Sequence, residues 1–124
     1  MNSIFAIAIG GALGAIMRYL TSSSVHHFLG SDFPYGTLTV NVLGSLLMGF
    51  ISILLLERLL LAEFWRPIIV IGFLGAFTTF STFSMETFNL IQAGDMTKAF
   101  FNMFFNLFLC LAATWLGVIA GRQL

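Results

Sequence analysis

Thr78-Thr79-Phe80-Ser81-Thr82-Phe83-Ser84 sets five hydroxyl side chains and two phenyl rings within seven consecutive residues, just after Gly72 and Gly75. Such a cluster can solvate an ion. Ser and Thr hydroxyls donate hydrogen bonds, and the rim of a phenyl ring is electropositive, so both turn positive partial charge toward an anion. Asn41, the one amide in a long apolar stretch, adds two more donors. From the residues alone, Asn41 is either interhelical glue or pore lining. With 15 Phe in the chain, plain packing stays open for Phe80 and Phe83.

The elements that position these residues follow from the charges. Of 124 residues, 59% are apolar and 8% charged, against about 45–50% and about 25% in soluble domains. Ten charged side chains cannot cover a soluble surface, and the apolar excess excludes disorder. Zero net charge leaves no basic face for nucleic acid. The charges leave uncharged runs at 1–17, 33–56, 67–85 and 99–121. A helix needs about 20 residues to cross a bilayer, so the chain reads as one four-helix transmembrane domain, 1–124. Helices are predicted near 3–27, 36–60, 66–92 and 97–122. The first lacks a basic leader and a cleavage pattern, so it reads as a retained span. Gly30 to Gly36 forms a connection, and Trp65-Arg66-Pro67 marks the start of the third helix, with Pro67 in its first turn.

Polar and small residues then fall into stripes. Gly10, Gly14 and Arg18 share one face of the first helix. Thr37, Asn41, Gly44, Ser45 and Met48 share one of the second. Asn102, Asn106, Cys110, Thr114, Gly117 and Gly121 share one of the fourth. The Gly10/Gly14 and Gly117/Gly121 pairs read as close helix contacts. Arg18 either snorkels to the interface or meets a neighbouring helix or polar vestibule. Cys110, the single cysteine, reads as a small packing residue. In the third helix, glycines followed by clustered hydroxyls predict a break near mid-span, with backbone carbonyls open to bind an ion.

With four spans, Arg58, Arg66 and Arg122 lie on one side and Arg18 and Lys98 on the other. So small an asymmetry fits insertion in both orientations, and with it an antiparallel homodimer. It fits equally a weakly biased chain oriented by other signals.

Three stretches resemble the Fluc (CrcB) fluoride channel family: Gly10 to Tyr19, Gly36 to Ser45, and Gly72 to Phe83 with its Thr-Thr-Phe-Ser-Thr-Phe core. The resemblance covers essentially the whole chain. It implies an antiparallel, dual-topology homodimer in the bacterial inner membrane, passing fluoride passively through two pores and catalysing no reaction. By motif, Asn41 would donate to fluoride and Phe80 and Phe83 would offer ring edges, with Ser81, Thr82 and Thr114 as a polar track and Thr37 in the same pore set. Carbonyls of Gly75 and Thr78 from both subunits would hold a structural sodium ion, with no organic cofactor. Arg18, Glu86 and Asn106 are vestibule or structural candidates. Asn106 and Cys110 depart from the family's usual Ser or His. The alternative is a proton-coupled multidrug-type exporter using Glu86, and a third reading is a non-transporting assembly subunit.

Overall fold

The computed structural model describes residues 2–58 and 62–124, all helix and short connections. Helix α1 spans Ser3–Leu29, its first turn capped by the Asn2 side chain, which accepts from the Ile4 N–H at 2.8 Å. It stops at Gly30, whose φ of 86° favours glycine and whose N–H bonds the His26 carbonyl. Helix α2, Tyr35–Ile53, follows Pro34 and widens into a π-helical turn at Leu54–Arg58. Helix α3, Ala62–Arg66, runs into a π-helical stretch at Pro67–Leu74 and then into α4, Gly75–Phe77. Thr78 and Thr79 are extended, with ψ of 156° and 120°, before α5 at Phe80–Gln92. A turn through Gly94 leads into α6, Met96–Gln123.

Four stretches are long and apolar enough to cross a bilayer: Ser3–Leu29, Tyr35–Glu57, Glu63–Gln92 and Met96–Gln123. The predicted end of the second helix near residue 60 lies outside the described residues. The predicted start of the third is corrected. Helix is already running at Ala62, and Pro67 sits inside the span. Proline lacks an N–H and its ring crowds the carbonyl four residues back, so an interior proline suits a wider π-helical turn.

Two helix pairs form the frame. Helix α1 packs on Pro67–Leu74, and α2 packs on α6. The glycine stripes explain how closely. A Cβ on Gly10 or Gly14 would collide with the backbone carbonyls of Ile68 and Phe73, and one on Gly117 with that of Leu46. These glycines serve close helix contact. Large apolar side chains such as Phe5, Phe28 and Trp115 point outward, as they do where lipid is the solvent, while Thr37, Thr87, Asn102 and Asn106 are buried. The polar groups are inside because a helix in hydrocarbon must satisfy them against its neighbours.

Candidate functional site

The extended pair Thr78–Thr79 interrupts the helical ladder: the Thr78 N–H still bonds the Leu74 carbonyl at 3.1 Å, whereas a side chain of α2 takes over the N–H and carbonyl of Thr79. Asn41 holds Thr79 from both sides: its Oδ1 accepts from the Thr79 N–H at 2.8 Å, and its Nδ2 donates to the Thr79 carbonyl at 3.0 Å. The second Nδ2 hydrogen goes to Asn106 Oδ1, also at 3.0 Å. Arg18 Nε donates to the Ala76 carbonyl at 3.0 Å, so this arginine meets a neighbouring helix end. Thr79 Oγ1 then caps α5 by accepting from the Thr82 N–H at 3.2 Å.

Beside this pair lies a cleft of about 570 Å³. Asn41, Gly44 and Ser45 of α2 form one wall. Thr78, Thr79, Phe80 and Phe83 form a second, and Asn106, Cys110 and Thr114 of α6 a third. The Phe80 and Phe83 rings are 5.4 Å apart and inclined at 54°. Phe80 is 78% exposed, a large apolar ring left uncovered by its own chain. Thr114 Oγ1 donates to the Ser45 carbonyl at 3.2 Å, tying α6 to α2 at the cleft.

The structure therefore brings Asn41, Phe80, Phe83, Thr78, Asn106 and Thr114 together and leaves other candidates elsewhere. Ser81 and Thr82 do not line this cleft. Thr37 is buried near Glu86 and His26 rather than in the cleft. Glu86 and His26 border a smaller cavity of about 300 Å³ with Asp32 and Asn89. Glu86 Oε1 and His26 Nε2 are buried there, with no hydrogen-bond partner among the described residues. Cys110, read as a packing residue, is a cleft wall between Asn106 and Thr114. Thr79 does more than the sequence suggested, as both the clamped residue and the α5 cap. Asn102 and Thr87 were not singled out for the site. Asn102 lies one turn before Asn106 on the fourth-helix stripe, which was the available signal.

Around the extended pair, the Ala76 and Thr79 carbonyls have side-chain donors, whereas among the described residues the Gly75 and Thr78 carbonyls accept no hydrogen bond. Unpartnered backbone oxygens fit a hard cation such as sodium. Among the described residues no group of three or more His, Cys, Asp and Glu side chains could hold a metal ion.

Four apolar spans, an extended mid-span segment, and beside it a mostly apolar cleft into which Asn41, Thr78, Thr79, Asn106 and Thr114 bring polar groups, define a multi-pass membrane protein. A family model described as CrcB-like protein, Camphor Resistance (CrcB), matches residues 5–118, and the chain belongs to that family. It is 50% identical over 122 residues to a protein of Methylococcus capsulatus named fluoride-specific ion channel FluC, covering 98% of this chain and 54% of that one. Proteins of the same name from Magnetococcus marinus and Geobacter metallireducens are 49% and 48% identical. The match covers 94% of both chains for the first and 100% of both for the second. The chain thus spans about half the length of the Methylococcus relative and nearly all of the other two.

Proposed function

We propose that this protein is a fluoride-selective channel that passes fluoride down its gradient, as two antiparallel copies with two pores, in a bacterial inner membrane. The cleft at Thr78–Thr79 carries the reading. Its walls include two amides, hydroxyls and two phenyl rings, all able to turn positive partial charge toward an anion, and among the described residues no carboxylate lines it. The Arg18 guanidinium, bonded two residues before Thr78, adds positive charge near it. Both Asn41 Nδ2 hydrogens are engaged, to Thr79 and Asn106. A fluoride ion, a small charged acceptor, takes one of them by offering a shorter, charge-assisted bond. Phe80 and Phe83 then present ring edges from the second wall, and Thr114 on the third turns its hydroxyl hydrogen from the Ser45 carbonyl to the ion.

The uncovered Phe80 ring and the open Gly75 carbonyl support a second copy at this face. The near-balanced Lys and Arg on the two sides support the antiparallel arrangement. Gly75 and Thr78 carbonyls of both copies would hold a structural sodium ion, which supplies fixed positive charge and links the two copies. Glu86 lies outside the main cleft, which weighs against the exporter reading.

The test is fluoride efflux from liposomes carrying the purified protein, with counter-charge supplied by a potassium ionophore and the medium kept alkaline. Efflux is expected at one rate with or without a proton gradient. Efflux that required the gradient would replace the channel with a coupled transporter.

A further inference from the structure

The hydrogen bonds of the cleft wall continue inward to residues that never reach it. The Thr79 N–H donates to Asn41 Oδ1 at 2.8 Å, and Asn41 Nδ2 to Asn106 Oδ1 at 3.0 Å. Asn106 Nδ2 donates to Asn102 Oδ1 at 3.0 Å, and Asn102 Nδ2 to Thr87 Oγ1 at 2.9 Å. Thr87 Oγ1 closes the run by donating to the Phe83 carbonyl at 2.8 Å. Every member accepts from the one before and donates to the one after. A run of this kind has a single direction, and each bond polarises the next.

Its two ends matter. It begins at Thr79, the cap of α5, and ends at Phe83, in the first turn of the same helix, having passed through α2 and α6. The turn that carries Phe80 and Phe83 lies between those ends. Asn102 is 0% exposed and Thr87 7%, and neither lines the cleft. Asn106 also donates to the Asn102 backbone carbonyl at 2.9 Å. With its nitrogen held at Asn102, Asn106 can turn only its oxygen toward Asn41. The backbone carbonyl and the side-chain oxygen of Asn102 together set which pole of Asn106 meets Asn41.

Resting on the fluoride-channel reading above, we infer that Asn102 and Thr87 are positioning residues of the ion path. They hold Asn106 in the place where its oxygen accepts from Asn41, and they tie α6 to the helix bearing the two rings. Without the Thr87 hydroxyl, the Asn102 Nδ2 loses its acceptor and the Phe83 carbonyl its side-chain donor, so the buried end of the run comes loose. Buried polar residues that only glue helices together would contribute independently. Links of one run fail together.

The experiment is fluoride efflux from liposomes for wild type, Thr87→Val, Thr87→Ser, Asn102→Leu and the Thr87→Val/Asn102→Leu double variant, each at equal reconstituted protein. Thr87→Val keeps the shape and removes the hydroxyl, and it is expected to slow efflux about tenfold, the scale of one broken buried hydrogen bond. Thr87→Ser restores the hydroxyl and is expected to conduct within about twofold of wild type. The double variant is expected to be no slower than Asn102→Leu alone, because coupled residues do not add. Thr87→Ala breaks the same link without added bulk and serves if Thr87→Val does not incorporate. Wild-type efflux from either Thr87 variant lacking the hydroxyl, or multiplied losses in the double variant, would overturn the positioning role. A wild-type protein that moves no fluoride would instead overturn the channel reading on which it rests.

Discussion

Asn41→Leu is expected to abolish fluoride efflux, a loss of about a hundredfold or more, and to lower thermal stability as well. The two effects share one cause. Leucine shares the branched outline of asparagine, with somewhat more bulk, but makes none of its three bonds, so the Thr79 N–H and carbonyl both lose their partner. An unmade hydrogen bond to a buried backbone group costs about 1–3 kcal/mol, which puts the destabilisation in the range of a few kcal/mol. The extended pair then lacks the clamp that fixes it, and Asn106 loses its donor. Asn41→Asp separates the parts. It keeps an acceptor for the Thr79 N–H but has no hydrogen to give to Thr79 or Asn106, and it puts negative charge on the route of an anion. Efflux should fail again, with a smaller loss of stability than in Asn41→Leu. Efflux assays paired with thermal unfolding in detergent read both quantities. Wild-type efflux from a correctly assembled Asn41→Leu protein would reduce Asn41 to helix glue.

Gly75→Leu is expected to abolish dimerisation and efflux together while leaving the single chain folded. Within its own chain Gly75 has room: a Cβ built there comes no closer than 3.7 Å to a non-neighbouring atom, the Val70 carbonyl oxygen. The Cβ of a residue at 75 therefore meets nothing of its own subunit that would account for a severe defect. Under the two-copy proposal it meets the other subunit across the axis, where overpacking costs about 1–3 kcal/mol at each of two symmetric positions. Gly44→Leu is the contrasting control. A Cβ on Gly44 collides with the Thr78 methyl and presses on the Phe77 ring, so its damage arises inside one chain and should appear as lost folding. Crosslinking in membranes and size-exclusion chromatography measure assembly, and helical content measures folding. A Gly75→Leu protein that remains dimeric and conducts would remove Gly75 from the interface.

The contrast between what the residues announced and what they concealed has physical roots. The four spans were legible because charge is so costly in hydrocarbon that ten charged residues mark the ends of the apolar runs. The glycine faces were legible because close approach of helices demands small residues at a fixed spacing. The convergence of Asn41, Phe80, Phe83 and Thr114 on one cleft followed from stripes and motif. Helical phase was harder. Two extended residues reset the angular position of α5, so no count from the preceding glycines tells whether Ser81 and Thr82 face the cleft, and they do not. The second helix hid a similar choice, since Thr37 shares a stripe with Asn41 but lies one turn away, beside Glu86. Thr87 was concealed most completely. Its partner Asn102 is fifteen residues further along, on another helix, and only the register of α5 on α6 joins them. The π-helical stretch from Pro67 was missed because a proline after Trp65-Arg66 reads as a helix start, whereas here the helix passes through it.

The central claim is that the cleft selects a small, strongly hydrated anion by replacing its water with closely placed donors. The measurement that tests it most directly compares fluoride and chloride efflux from matched liposomes carrying the purified protein, under one membrane potential. Rapid fluoride efflux is expected, with chloride efflux no faster than from protein-free liposomes. Comparable efflux of the two anions, or none of either, would contradict it.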